Sequence, residues 1–116
     1  MKVTIYGIRN CDTMKKAFAW LEAHGIEYRF HDYKREGVPR DRLAAWSKAV
    51  GWEKLANTRG PTWRKIPEPA RADLDEARAL KLLLDNPSAI RRPVVEWGGR
   101  LTVGFDAGEF GRMSGQ

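Results

Sequence analysis

Apolar residues divide the chain into three parts with different spacing. The first part opens with "KVTIY", residues 2–6, whose β-branched residues predict a strand. Apolar residues then recur every three or four positions, which is typical of one face of a helix: Met14, Ala17, Phe18 and Leu21. His24 and Gly25 end this helix, and residues 26–33 alternate between apolar and polar as a second strand. Short connections between these elements predict a right-handed, parallel β-α-β unit.

The middle of the chain is predicted to be helical. Pro39 and Gly51 frame a helix over about residues 40–50. Residues 52–69 are rich in turn-forming residues, and residues 70–87 predict one long helix that ends at Asn86 and Pro87. Three acidic residues lie in the first turns of this long helix, where the helix dipole favours negative charge: Asp73, Asp75 and Glu76.

The last part predicts a β-hairpin. Two short apolar runs flank Gly98 and Gly99, a typical two-residue turn, and residues 106–116 predict one helical turn and a loose tail. The element order is β-α-β, helical insert, β-β-α, which indicates an α/β fold in a single domain over 1–116. The sheet-forming part covers 1–36 and 91–116, and the insert covers 37–90.

Charge and cysteine content narrow the functional classes. The chain has 21 Lys and Arg against 15 Asp and Glu, a net charge of +6, which favours anionic partners or simply gives a basic surface. No nucleic-acid-binding motif is present, and no apolar run is long enough to cross a membrane. One cysteine excludes an internal disulfide and a cysteine-rich metal site, so we expect no bound metal. We identify no secretion signal, and a free thiol suggests the cytoplasm.

Cys11 is the candidate for chemistry, because it follows the first strand directly and precedes the first helix. Free N–H groups and the dipole at a helix start stabilise a thiolate, which is the nucleophilic form. A buried, inert cysteine is the alternative interpretation. Asn10, Asp12 and Thr13 are candidate helix caps, and the Thr13 hydroxyl could also donate to the sulfur.

Two arginines in turn-like segments are candidate anion-binding residues. Arg59 lies in "NTRG" and Arg92 in "RRPVV", beside Gly and Pro. Paired near a thiolate, their guanidinium groups would hold a carboxylate or an oxyanion; solvated side chains are the alternative. We add Asn10 and Thr13 to this candidate anion site because they flank the cysteine.

Four segments together resemble a known family. "YGIRNCDTMKKA", "NTRGPTWRKI", "RRPVV" and "GRLTVGFD", in this order and spacing, resemble the arsenate reductase (ArsC/Spx) family in its YffB-like branch. The resemblance covers essentially the whole chain and implies a thioredoxin-like fold with a helical insertion. It implies that Cys11 is the nucleophile, that Arg59 and Arg92 bind the oxyanion, and that the bond before Pro93 is cis and faces the cysteine.

The chain differs at three positions from the arsenate reductases and the Spx-type regulators that it resembles. Arsenate reductases carry a histidine four residues before the cysteine, where this chain has Gly7, and a third arginine where it has Phe105. Spx-type regulators typically use a Cys-x-x-Cys switch, but Met14 occupies the second cysteine position here. These departures weaken both interpretations.

The sequence therefore predicts a monothiol oxidoreductase that acts through Cys11. The resemblance implies a glutathione-dependent thiol reductase, with glutathione as co-substrate and no bound cofactor. Its partners would be a glutathionylated or oxidised thiol substrate and, in some reactions, glutaredoxin. The alternatives are an arsenate reductase that uses glutathione and glutaredoxin, and a non-enzymatic binding or regulatory module of the Spx type.

Overall fold

The computed structural model describes residues 1–115, and its chain divides into two compact units. The first comprises Met1–Gly37 and the segment from Arg92 onward; the second comprises Val38–Arg91. That both belong to a single domain over 1–116 stays a prediction, and Gln116 lies outside the described residues.

The first unit is built on a mixed four-stranded sheet. Its strands are β1 (Val3–Gly7), β2 (Arg29–Asp32), β3 (Val94–Trp97) and β4 (Arg100–Val103). The order across the sheet is β2-β1-β3-β4, with β1 parallel to β2 and the other pairs antiparallel. The first helix, α1 (Asp12–Ala23), connects the parallel strands. The parallel β-α-β unit and the Gly98–Gly99 hairpin predicted from the sequence are both confirmed.

One face of this sheet carries the apolar core of the unit. Alternate residues of β1 and β3 pack against α1 and against α8 (Ala107–Ser114). The buried members are Val3, Ile5, Met14, Ala17, Leu21, Val95, Trp97 and Phe110. Each fully buried large apolar side chain contributes roughly 1.5–3 kcal/mol relative to an exposed one. This packing fixes the start of α1 against the end of β1, which is where Cys11 lies.

Short and medium helices form the second unit. They are α3 (Arg40–Val50), α4 (Trp52–Leu55), α5 (Pro61–Lys65), α6 (Glu68–Arg71) and α7 (Glu76–Asp85), with a 3-10 turn at Pro87–Ala89. A further short helix, α2 (Tyr33–Glu36), follows β2 in the first unit. Helix α3 has the position that Pro39 and Gly51 predicted, so this prediction is confirmed.

Three boundary predictions are wrong. The long helix of residues 70–87 is interrupted: Asp73 has a positive φ of 51°, and Asp75 caps α7 by accepting the Arg78 N–H at 2.8 Å. The C-terminal helix is longer than one turn, because Asp106 accepts the Glu109 N–H at 3.1 Å and Phe110 is fully buried. Strand β2 is shorter than the alternating pattern over 26–33.

Candidate active site

Cys11 is the N-cap residue of α1, with an extended backbone at φ −146° and ψ 130°. The sequence offers Asn10, Asp12 and Thr13 as caps, so the cysteine occupies the position predicted for its neighbours. Its side chain makes no formal capping hydrogen bond and is half-buried, packed against the apolar core of the first unit. The sulfur is therefore held at the edge of the core while part of it remains accessible to solvent.

The surroundings of Cys11 favour the thiolate. Partial burial, the largest single influence, raises the pKa of the thiol, but the Met14 backbone N–H, the Arg92 side chain and the Thr13 backbone N–H together outweigh it. The net pKa of Cys11 lies below its ordinary value. Thr13 and Met14 hold the second and third helical positions, whose N–H groups an N-cap side chain normally accepts from. The start of α1 thus acts on the sulfur through its amides.

Arg92 supplies the positive charge beside the thiol. Its side chain both hydrogen-bonds the sulfur and attracts the thiolate electrostatically. The following peptide bond, Arg92–Pro93, is cis, as the resemblance implied. The Pro93 carbonyl accepts a hydrogen bond from the Gly104 N–H at 2.8 Å, which ties this segment to the end of β4. The hydrogen bond between Pro93 and Gly104 thus holds the segment just before β3 in place. Arg92 lies in this segment, and its side chain reaches Cys11.

The structure supports the other three predicted anion-binding residues less directly than it supports Arg92. Asn10 and Thr13 have exposed side chains next to Cys11, and within residues 1–115 neither side chain makes a hydrogen bond. Thr13 acts on the thiol through its amide and not through its hydroxyl. Arg59 is exposed in the turn before α5, in the second unit, and its approach to Cys11 stays a prediction.

Position 7 is closed to a larger side chain by Met14. A Cβ on Gly7 would lie 2.5 Å from the Met14 Sδ and 2.8 Å from its Cε, with the Arg92 Cγ at 3.6 Å. Met14 is fully buried, so its side chain fills the space beside the site that a residue at position 7 would otherwise use. The absence of a histidine here is coupled to the presence of this methionine.

Position 105 is likewise used for packing. The Phe105 ring meets the Phe110 ring edge-on, with 4.9 Å between ring centroids and an interplanar angle of 87°. It also contacts the apolar core of the first unit. Gly104, immediately before it, is the residue that donates to the Pro93 carbonyl. The side chain at this position therefore stabilises the fold next to the cis peptide and offers no charge to a ligand.

The sequence does not show the part that Met14 plays at the site: there it is an apolar helix position and the residue that replaces a second cysteine. Its amide is the strongest of the groups that lower the Cys11 pKa, and its side chain closes position 7. The spacing between Cys11 and Met14 could have identified this role. If Cys11 is the N-cap, the residue three positions later presents the N–H from which a cap side chain accepts.

Metal-binding clusters and membrane-spanning helices are both missing from residues 1–115. No group of three or more His, Cys, Asp and Glu side chains there is arranged to hold a metal ion. None of the helices in this part of the chain is long and apolar enough to cross a membrane.

Comparison with known proteins reaches across nearly the whole chain. The model of the ArsC family matches residues 6–113. A solved structure described as the YFFB protein is 47% identical, with a TM-score of 0.94 and coverage of 97% of this chain and 98% of that one. The solution structure of an arsenate reductase (ArsC) related protein from Brucella melitensis is 53% identical, with a TM-score of 0.77 and coverage of 97% and 93%.

A regulator is also similar. The global transcriptional regulator Spx of Listeria innocua is 30% identical over 116 residues, covering 96% of this chain and 86% of the regulator. The structural matches confirm the α/β, thioredoxin-like fold that the motifs implied.

Proposed function

This chain belongs to the ArsC family, and on that premise we propose that it is a glutathione-dependent monothiol oxidoreductase acting through Cys11. The observation that carries the proposal is the half-buried Cys11 at the start of α1, whose thiol pKa is lowered by the Met14 amide, by Arg92 and by the Thr13 amide. A structural cysteine in an apolar site would have a raised pKa instead. We place the reaction in the cytoplasm, where thiols are kept reduced.

The proposed cycle has two exchange steps. The Cys11 thiolate attacks the glutathione sulfur of a glutathionylated substrate, R–S–S–G; the S–S bond breaks, and the substrate leaves as a thiolate that takes a proton from water. A second glutathione, as thiolate, then attacks the glutathione sulfur bound to Cys11. This step releases oxidised glutathione and regenerates the Cys11 thiolate. In sum, R–S–S–G and one reduced glutathione give R–SH and oxidised glutathione, so the incoming glutathione sulfur is oxidised as the substrate sulfur is reduced.

Arg92 would serve both the thiolate and the ligand. Its guanidinium fork is of the kind that binds carboxylates, and it lies beside the sulfur, so we propose that it also contacts a glutathione carboxylate. We propose Asn10, Thr13 and Arg59 as further anion-binding residues; the exposed side chains of the first two flank Cys11. These contacts would orient glutathione for in-line attack on the mixed disulfide.

Arsenate reduction should be weak or absent. Gly7 and Phe105 supply neither a thiol-activating imidazole nor a third guanidinium group, and each charge-assisted hydrogen bond contributes roughly 1.5–3 kcal/mol. Both losses act on capture of a tetrahedral oxyanion. Glutathione exchange depends on the thiolate and on part of the anion site, so it should persist.

A regulatory switch of the Cys-x-x-Cys type is not compatible with this chain. Met14 stands at the second cysteine position and is fully buried, and the sequence holds no other cysteine. The similarity to Spx leaves a binding role open in principle, but a lowered thiol pKa is unnecessary for binding alone. The lowered pKa of the Cys11 thiol therefore favours an enzymatic role over a binding role.

The test is mass spectrometry of the intact protein after incubation with oxidised glutathione. We expect one glutathionyl adduct on Cys11, removed on addition of reduced glutathione, and none in Cys11→Ser. Turnover of a glutathionylated peptide with glutathione should fall in that variant to the rate without protein. A parallel reaction with arsenate, glutathione and glutaredoxin should show little product.

Failure to form the adduct, or an adduct that glutathione does not resolve, would contradict the proposal. Arsenate turnover equal to that of an authentic arsenate reductase would favour the alternative activity.

A further inference from the structure

A charged pocket of about 370 Å³ lies in the first unit, where β2 runs into α2. It is lined by Arg9, Phe30, Asp32, Arg35 and Glu36. Its volume is near the lower end of the range for ligand pockets, roughly 300–1,000 Å³. A cavity of this volume can hold one side chain together with a few water molecules.

The two acidic residues of the pocket are already engaged. Asp32 is buried and accepts the Lys34 N–H at 3.0 Å, as the cap of α2. Glu36 forms an ion pair with Arg29 at 3.0 Å and lies 3.8 Å from the His31 Nδ1. Asp32 is therefore held by a backbone amide and Glu36 by the Arg29 guanidinium group, and both carboxylates keep their negative charge in the pocket wall.

The two arginines of the pocket are not engaged in this way. The Arg9 guanidinium lies over the Phe30 ring, 5.2 Å from its centroid. Within residues 1–115, neither Arg9 nor Arg35 makes a hydrogen bond or ion pair through its side chain, and both are exposed. The pocket is therefore lined by two exposed guanidinium groups and by Phe30, whose ring lies beneath the Arg9 guanidinium group, and this lining suits an anion with a short apolar stem.

One of the lining residues, Arg9, lies two positions before Cys11. The Cys11 N–H donates to the Arg9 carbonyl at 3.1 Å, and two residues of chain span at most about 7 Å. Phe30 and Cys11 also pack against the same apolar core. When the Cys11 thiolate attacks the glutathione sulfur of a peptide–glutathione disulfide, the peptide sulfur leaves in line with the attack, so a residue next to the peptide cysteine comes within reach of this pocket.

We propose that this pocket is a specificity subsite for an acidic side chain that neighbours the disulfide-linked cysteine of a peptide or protein substrate. The inference rests on the proposed thiol exchange at Cys11. A Glu or Asp carboxylate can accept from both guanidinium groups, and its methylenes can lie on Phe30. Asp32 and Glu36 in the wall disfavour a doubly charged phosphate, so a singly charged carboxylate fits best.

The test uses glutathione mixed disulfides of short peptides. Glu, Gln, Lys or phosphoserine is placed on either side of the single cysteine, and kcat/KM for release of the peptide thiol is measured for each peptide. We expect the Glu peptide to be preferred over the Gln peptide by roughly two- to fivefold at low salt, the range of an exposed ion pair, with Lys slowest.

Three variants assign the preference to the pocket. Arg35→Gln, remote in sequence from Cys11, should remove most of the Glu preference without changing the rate for the Gln peptide; Arg9→Gln should also reduce it. Arg100→Gln is the matched control: it removes an exposed arginine from β4, at the opposite edge of the sheet, three strands or roughly 14 Å from β2. The Arg100→Gln protein should keep the preference for the Glu peptide.

The outcomes separate the two proposals. Absence of Cys11-dependent exchange with every peptide would overturn the proposed function. Exchange at equal rates for Glu, Gln and Lys peptides would overturn the subsite alone. So would a Glu preference that Arg100→Gln reduces as much as Arg35→Gln, since overall charge would then explain it. A clear preference for phosphoserine over Glu would overturn the carboxylate assignment.

Discussion

Two regions of the first unit use their residues in opposite ways. At the start of α1, the Met14 and Thr13 amides and the Arg92 side chain all stabilise negative charge on the sulfur. At Gly7 and Phe105, where an oxyanion-capturing member of the family would place polar groups, the chain has only packing. One region is organised for a thiolate and the other for a close-packed core.

The difference teaches that activating the thiol and capturing an oxyanion are separable tasks. Activation needs a helix start and one cation close to the sulfur, which this chain keeps. Capture of a multiply charged oxyanion needs several donors converging on one point outside the sulfur. Because the packing at positions 7 and 105 is tight, capture could not be restored by one substitution at either position without a cost in stability.

The largest effect is expected from Gly7→His, which forces a polar group into the packed region. The imidazole must displace the buried Met14 side chain, so the free energy of unfolding should fall by about 1–3 kcal/mol, the range for overpacking. Chemical denaturation measures it. Gly99→His is the matched control and should change stability little, because a Cβ at Gly99 would meet no atom of residues 1–115 within 4 Å and its φ is not positive.

A double substitution sharpens this prediction. Met14→Ala alone leaves a cavity and should destabilise, but it also opens space for a side chain at position 7. The Gly7→His, Met14→Ala protein should therefore be less destabilised than the sum of the single variants. Additive effects would show that Met14 does not close position 7.

The next effect concerns the charge-stabilising region. Arg92→Ala should raise the thiol pKa and slow glutathione exchange at neutral pH by about tenfold, since a hydrogen bond to a charged group contributes roughly 1.5 kcal/mol. Arg91→Ala is the control: its Nε donates to the Lys54 carbonyl at 3.2 Å, and it has no part in the Cys11 pKa. Equal slowing in both variants would remove Arg92 from the site.

The smallest effect is a pH dependence of stability. Because the folded pKa of Cys11 is lowered, the thiol contributes stability that is fully present above the pKa of an unfolded cysteine, roughly 8.5, and is lost as pH falls through the folded pKa. The difference in unfolding free energy between the native protein and Cys11→Ala should therefore be larger at alkaline than at acidic pH. A difference that shrinks as pH rises would contradict the lowered pKa.

The fold was predictable where local pattern and tertiary packing agree. Strand β1, helix α3 and the Gly98–Gly99 hairpin follow directly from alternation, helical spacing and turn residues. The long helix over 70–87 was wrong because Asp75 competes with the helix as a cap, which periodicity alone does not show. The length of the C-terminal helix depends on burial of Phe110, a tertiary effect.

The sequence predicts the reactive group of the site and its cationic partner, but not the part that Met14 plays beside them. A lone cysteine between a strand and a helix points to a stabilised thiolate. Its partner Arg92 was a candidate from its turn-like segment beside Pro93, and the family resemblance gave it the same role. The part played by Met14 requires two facts absent from the pattern: that Cys11 itself is the N-cap, and that Gly7 faces the Met14 side chain. Only the folded backbone supplies them.

The central claim is that the start of α1 and Arg92 together hold Cys11 as a thiolate. The most direct measurement is the rate of alkylation by iodoacetamide as a function of pH, for the native protein and for Arg92→Ala. The account predicts a midpoint for the native protein below that of a free cysteine, roughly 8.5, and a higher midpoint for the variant. A native midpoint at or above the free value, or one that Arg92→Ala leaves unchanged, would contradict it.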